Sequence, residues 1–96
     1  MREWKYAVID TSTNSTTVTS VPALVKGVYI NTTLSAHTVV LKDDTTAVFT
    51  IPAEAGAGDA FDFGDEGTRF ETSLVCDPDD ASTGNLTILY YDLERS

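Results

Sequence analysis

The chain has 96 residues and a formal net charge of −9, from 15 acidic and 6 basic residues. This length suits one domain, residues 1–96, and a hydrophobic content of 42% argues against a disordered chain. The basic residues are scattered, which argues against nucleic acid and membrane as partners because both attract clustered Lys and Arg. The acidic charge instead favours a partner protein with a basic surface.

The single cysteine, Cys76, rules out an intramolecular disulfide, and a secreted domain of this size often needs one. The N-terminal segment "MREWKYAVID" has no apolar stretch typical of a signal peptide, and no apolar run approaches 18 residues. We therefore expect the chain to be synthesised and folded in a cytoplasm.

Short β-rich segments separated by turn residues follow one another from the N-terminus. Alternation predicts strands over 4–10, 16–20, 24–33, 38–42, 47–51, 61–63, 69–76 and 85–92. The polar turn "KDDTT" joins the fourth and fifth segments into a hairpin. With no helical periodicity, these seven to eight short strands predict an all-β fold, a small antiparallel β-sandwich or barrel that is jelly-roll-like.

Alternation also predicts which side chains share a face. In the first predicted strand, Trp4, Tyr6 and Val8 share a face. In three later strands, the residues that share a face are Leu24, Val28 and Ile30, then Ala47, Phe49 and Ile51, and then Phe70, Thr72, Leu74 and Cys76. Gly27 inside its strand predicts a bulge or a close backbone approach. The predicted core consists of Val28, Ile30, Val39, Leu41, Phe49, Phe70, Leu74 and Ile88. The last strand is apolar on both faces, so it is either central or at a subunit contact.

The segment "PAEAGAGDA", residues 52–60, connects two strands with small residues, and 53–55 could form one helical turn. Small side chains let this crossing lie close to another surface. That surface is either the domain's own sheet or a neighbouring subunit.

Few side chains are suited to catalysis. The single histidine, His37, lies in a turn-like segment and is expected to be solvated, and Cys76 is expected to be buried and inert. No nucleophile, nucleotide or zinc-protease motif occurs. We predict no enzyme activity, no catalytic residues and no cofactor.

Acidic residues cluster in two places, where they form either a solvated rim or a calcium site. The clusters are Asp59, Asp62, Asp65 and Glu66, and Asp77, Asp79 and Asp80. Neither follows the EF-hand order, so we predict no metal site and keep calcium as the alternative. Arg69, just after the first cluster, is expected to pair with Asp65 or Glu66 or to reach a carboxylate on another chain.

From Gly27 onward, the elements "YINTTLS", "LKD…VFTIPA", "FG…GTRFETSL" and "GNLTILYY" resemble a group of small virion proteins of tailed bacteriophages. The group includes capsid decoration (cement) proteins, head fibres and related accessory proteins. The resemblance implies a β-rich, non-enzymatic homotrimer on the capsid surface, bound to the major capsid protein or another virion protein. Residues 1–20 depart from the group's pattern.

On this interpretation, contacts with partners come from the crossing, from Arg69 and from the second apolar face of the last strand. The predicted interface residues are Ala55, Gly56, Ala57, Gly58, Asp59, Arg69, Tyr91 and Leu93. Two alternatives share the same fold: a tail or head–tail accessory protein, and a carbohydrate-binding β-sandwich. The second needs exposed aromatic platforms, and most of the aromatic candidates, Trp4, Tyr6, Tyr29, Tyr90 and Tyr91, alternate like core residues.

Overall fold

A computed structural model describes residues 4–12, 15–36, 38–78 and 83–93, and these ranges contain nine strands and no helix. The strands are β1 (Lys5–Asp10), β2 (Thr16–Thr19), β3 (Ala23–Thr32), β4 (Val39–Asp43), β5 (Thr46–Ile51), β6 (Ala60–Asp62), β7 (Thr68–Phe70), β8 (Leu74–Pro78) and β9 (Asn85–Asp92). The all-β prediction is confirmed.

Two antiparallel sheets divide these strands. Sheet A has the order β1-β9-β3, with β6 and β7 lying one after the other along the remaining edge of β3. Sheet B has the order β2-β8-β4-β5. If β6 and β7 are taken as one interrupted strand, the described residues form two four-stranded sheets, which agrees with the predicted seven to eight strands.

The pairing is nested in sequence. β1 pairs with β9, β2 with β8, β3 with β6 and β7, and β4 with β5. The chain is thus one long antiparallel ribbon that turns back at the predicted hairpin between β4 and β5. Rolling such a ribbon into two sheets produces the jelly roll, which confirms the predicted fold class.

The inner faces of the two sheets enclose the hydrophobic core. Val28 lies opposite Ile88 in sheet A, and Leu41 lies opposite Cys76 in sheet B. Seven of the eight predicted core residues are buried, and the eighth, Phe49, is half-buried and packs against them. Burying each large aliphatic side chain contributes about 1.5–3 kcal/mol, so this core is the main source of stability.

The predicted bulge at Gly27 is confirmed and changes which side chains of β3 face the core. The pairing of β3 with β9 shifts register between Val25 and Gly27. A Cβ on Gly27 would lie 2.9 Å from the carbonyl oxygen of Phe61, so glycine also permits the approach of β6. Because of the shift, Val25 and Val28 both face the core. The prediction that Leu24 shares their face is wrong: Leu24 is buried on the opposite face.

The predicted strand 69–76 is in fact two strands in different sheets, β7 and β8. Between them, the Asp43 carboxylate accepts hydrogen bonds from the backbone N–H groups of Glu71 and Thr72, both at 2.8 Å, and of Ser73 at 3.4 Å. These bonds satisfy backbone N–H groups in the segment where the chain passes from sheet A to sheet B. Thr72 is therefore exposed, contrary to the predicted alternation, whereas Leu74 is buried.

The predicted alternation of β5 also fails at Ala47, which is exposed. Leu41 lies opposite Phe49 but Lys42 lies opposite Ala47, so Val48 is an extra residue in the ladder. A bulge of this kind reverses the alternation on one side of it.

Candidate interaction surface

The outer face of sheet A, which points away from sheet B, brings together two of the predicted interface residues. Leu24 of β3 lies opposite Tyr91 of β9 on one side and opposite Arg69 of β7 on the other. Directly opposed residues in an antiparallel pair project from the same face. Arg69 and Tyr91 are therefore neighbours across Leu24, although 22 positions separate them in sequence.

Aromatic and basic side chains surround this point. The ring of Trp4 meets that of Tyr91 edge-on, with centroids 6.0 Å apart, and Lys26 Nζ lies 5.6 Å from the centroid of the Trp4 ring. Edge-to-face ring pairs and cation–π contacts each contribute about 0.5–1.5 kcal/mol. Both contacts hold these side chains in fixed positions on the outer face.

Two strands of sheet A present large apolar side chains to solvent. On β1, Tyr6 is 72% exposed and Val8 is 59% exposed, and on β3 Tyr29 is 38% exposed. Tyr6 lies opposite Leu89, and both Val8 and Tyr29 lie opposite Thr87, so all three project from the outer face of sheet A. We call Tyr6, Val8 and Tyr29 the exposed apolar row.

The ion pair of Arg69 differs from the predicted ones. Its Nε donates to Glu71 Oε1 at 3.0 Å, rather than to Asp65 or Glu66. The side chains of Arg69 and Glu71 are 55% and 67% exposed, so solvent screens the pair and it contributes about 0–1 kcal/mol. The pair holds the Arg69 guanidinium near the outer face but adds little to the stability of the fold.

The small-residue crossing lies against the domain's own sheet, the first of the two surfaces considered for it, and a contact with a neighbouring subunit stays a prediction. Leu34 N–H donates to the Ala55 carbonyl, Gly58 N–H donates to the Ile30 carbonyl, and Ile30 N–H donates to the Asp59 carbonyl. Ala55 is buried in the core, so its side chain is covered by its own chain, whereas 57–59 are exposed.

The predicted helical turn at 53–55 is absent from the crossing, because Glu54 takes a left-handed φ of 63°. Its N–H donates to the Ser35 carbonyl at 2.8 Å.

The predicted interface residues therefore form two patches. Arg69 and Tyr91 lie opposite Leu24, near the start of β3, whereas the crossing bonds to Ile30 and Leu34, near and beyond its end. Ile30 lies six positions after Leu24, which is about 20 Å along a strand. Leu93 follows β9 beside the first patch, where its N–H donates to the Pro22 carbonyl.

The buried thiol of Cys76 is unsuited to nucleophilic chemistry. Burial, followed by the negative charge of Asp77, raises the pKa of Cys76 to about 12. The thiol therefore stays protonated at neutral pH, in agreement with the prediction of an inert cysteine. His37 lies outside the described residues.

The acidic clusters hold carboxylates that bond to their own chain. Asp59 accepts a hydrogen bond from Gly56 N–H and Asp62 from Gly64 N–H, both at 2.9 Å, and Asp77 pairs with Lys42 at 2.6 Å. Within the described ranges, no three His, Cys, Asp or Glu side chains are grouped as metal ligands. Asp79 and Asp80 lie outside those ranges, so the prediction of no metal site stays a prediction.

Sequence reasoning missed the exposed apolar row because β1 is apolar on both faces. Ala7 and Ile9 face the core, and Tyr6 and Val8 face solvent. Periodicity groups residues onto faces but does not say which face is buried. The expectation that most of the aromatic side chains lie in the core is wrong for Tyr6 and Tyr29.

Comparison with known proteins returned no match: no protein-family model, no curated protein and no solved structure is significantly similar to this chain. None of the described residues belongs to a helix that could span a membrane.

Proposed function

We propose that this protein is a non-enzymatic structural component of a tailed-bacteriophage virion, a decoration (cement) protein that binds between capsid subunits and stabilises the head. The observation that carries the proposal is the exposed apolar row on one face of a rigid jelly roll. Tyr6 and Val8 are the most exposed large apolar side chains of the described residues. Such side chains on a regular sheet are typical of protein-binding surfaces.

Three further features support a virion role. The segments from Gly27 onward resemble small virion proteins, and the jelly roll is a fold widely used in viral capsids, which is an argument by analogy. The net charge of −9 complements a basic capsid surface and would speed association with it. The mechanism is complementarity between surfaces, with no bond made or broken.

The two patches suit two kinds of contact in this proposal. The outer face of sheet A, with Tyr91, Arg69 and the exposed apolar row, meets the capsid. The crossing exposes residues 57–59 at the far end of β3, where three copies could approach a shared axis. A small domain gains stability from such a trimer because association buries additional surface.

Sedimentation with capsids tests the proposal. Heads of the phage that carries the gene, assembled without this protein, are mixed with purified protein, pelleted and probed for heat stability. We expect saturable binding at a fixed number of copies per head, a higher temperature of head disruption, and a trimer by light scattering. Failure to bind heads, together with binding to tails, would move the protein to the tail or the head–tail junction.

Carbohydrate binding is the second candidate, and one observation favours it. Tyr6 and Tyr29 are exposed on the same face as Asn31, whose Nδ2 donates to Thr87 Oγ1 at 2.8 Å. Exposed rings beside polar groups can stack against sugars. A glycan array distinguishes the two functions: specific sugar binding that is lost in Tyr6→Ala would favour this candidate.

A further inference from the structure

A groove opens along one side of the sandwich, between an edge of sheet A and an edge of sheet B. Its volume is about 430 Å³, and it is lined by Val48 and Phe49 of β5 and by Ala60, Phe61, Asp62, Phe63 and Thr68. Cavities of roughly 300–1,000 Å³ are the usual size of ligand-binding sites. This groove and β1 lie at opposite edges of sheet A, about 14 Å apart over three strand spacings.

Three phenylalanine rings line the groove. The centroid of the Phe49 ring lies 5.6 Å from that of Phe61 and 5.0 Å from that of Phe63, which it meets edge-on. All three rings are half-buried and pack against the core. The rings are therefore held in place from below while solvent still reaches their upper surface.

The bulge in β5 supplies a fourth apolar side chain. Val48 and Phe49 are consecutive, and in a regular strand they would project to opposite faces. Because Val48 is the extra residue of the bulge, both side chains line the groove, and Val48 remains 42% exposed. Bulges at sheet edges commonly redirect a side chain in this way and also discourage the addition of another strand.

The β6 side of the groove carries an acidic residue. Asp62 is part of the lining, and Asp65 lies outside it, exposed in the loop that follows Phe63. No cation lines the groove among the described residues, and the cations of the adjoining strands have partners: Lys26 Nζ donates to the Asp65 carbonyl at 3.3 Å and Arg69 pairs with Glu71. An occupant with positive charge beside an apolar group would match this pattern.

We propose that the groove binds one large apolar side chain of a partner protein, carried on an extended segment with Lys or Arg beside it. The apolar side chain packs on the rings of Phe49, Phe61 and Phe63, and a flanking cation lies near Asp62. This inference does not depend on the virion role, because the groove is built on Val48 and Phe49 of sheet B and on the rings of Phe61 and Phe63, not on the exposed apolar row.

Titration of the ¹⁵N-labelled protein with three capped peptides, followed by NMR, tests this proposal. The first alternates lysine and threonine around a central phenylalanine; the second has alanine at its centre; the third has glutamate in place of lysine. We expect saturable shifts of the amides of β5 and β6 with the first peptide, with a Kd below about 1 mM, and at least about tenfold weaker binding of the other two.

A matched pair of variants locates the binding. Val48→Lys adds a cation to the groove and should weaken binding of the first peptide at least about fivefold. Val8→Lys makes the same change on an exposed valine of the opposite edge strand and should leave binding unchanged. Circular dichroism confirms that both variants fold.

Three results would overturn the proposal: no saturable shift, equal binding of the glutamate peptide, or equal loss in both variants. Shifts of β5 and β6 that depend on protein concentration alone would also overturn it, because they would show that a second copy of the chain fills the groove. The virion proposal is tested separately. If Val48→Lys still binds phage heads and Val8→Lys does not, the virion proposal stands regardless of the peptide titrations.

Discussion

The outer faces of the two sheets differ in chemistry although the sheets share one core. The outer face of sheet A carries Tyr6, Val8 and Tyr29, all exposed. The outer face of sheet B carries threonines on its edge strands, Thr17 and Thr50. Its centre combines an ion pair between Lys42 and Asp77 with two valines, Val40 and Val75, that are half-buried rather than exposed.

This difference shows that folding does not account for every apolar residue of the chain. Sheet B follows the usual pattern of an antiparallel sheet with one buried and one solvated face. Sheet A keeps large apolar side chains on its solvated face, where they carry a risk of non-specific association. A binding function for this face would explain why they are there. We interpret sheet B as the solvent-facing side and sheet A as the side that meets a partner.

The largest expected effect is the loss of unfolding free energy when a buried apolar side chain is truncated, compared with truncation of an exposed one. Leu74 is fully buried on the inner face of sheet B, so Leu74→Ala should lower the free energy of unfolding by about 2–5 kcal/mol through the cavity it leaves. Val8→Ala, on the outer face of sheet A, should change it by no more than about 0.5 kcal/mol. Urea denaturation measures both, and equal losses would place Val8 in the folding core.

Two glycines in the loop between β6 and β7 allow a test of how this loop packs against β3 at the interrupted edge of sheet A. Gly67 has a φ of +79°, and a Cβ there would lie 2.8 Å from the Val25 carbonyl oxygen, whereas Gly64 has a φ of +94° and open space around it. Gly64→Ala should cost about 1 kcal/mol from backbone strain alone, and Gly67→Ala about 1–3 kcal/mol more because β3 must shift. Thermal unfolding of the pair measures the difference, and equal melting temperatures would refute this packing of the loop against β3.

A smaller effect concerns Asp43, which links the two sheets by bonding to the segment between β7 and β8. Partial burial acts to raise the pKa of Asp43, but the three backbone donors together outweigh it, so the pKa lies below its ordinary value of 3.8. Since the folded-state pKa is the lower one, the stabilisation is fully present above about pH 3.8 and is lost as pH falls through the folded-state value.

Asp43→Asn should therefore cost about 1 kcal/mol near neutral pH and progressively less as the pH falls below the ordinary pKa. Asp44→Asn changes the same charge one residue away, at a position where its φ of 58° suits asparagine, and serves as the control. Urea denaturation between pH 2.5 and 7 measures both variants. A cost for Asp43→Asn that does not vary with pH, or that equals the cost of the control, would contradict the role of this carboxylate.

The sequence predicted the strands and the core well, because period-two alternation is a local signal. Val39, Leu41 and Ile88 follow it without interruption and are buried. The predictions failed where a backbone irregularity resets the alternation, as at Leu24 before the bulge and at Thr72 between the sheets. These irregularities depend on partners distant in sequence, such as Asp43, which no local pattern contains.

The candidate surface was only partly predictable. Tyr91 and Arg69 stood out in sequence as a surplus apolar residue and an unusual charge, but their proximity depends on Leu24 of β3 lying between them. The exposed apolar row escaped prediction since Tyr6 and Val8 look like core residues. The size and charge of the groove arise from the side-by-side placement of β5 and β6, which only the topology provides.

The most direct test of the central claim compares one lysine substitution on each outer face. Val8→Lys and Thr50→Lys both add a cation to an exposed strand position, the first on sheet A and the second on sheet B. In sedimentation with phage heads that lack the protein, we expect Val8→Lys to weaken binding at least about tenfold and Thr50→Lys to bind like the wild type. Unchanged binding of Val8→Lys, or an equal loss in both variants, would contradict the assignment of sheet A as the contact face.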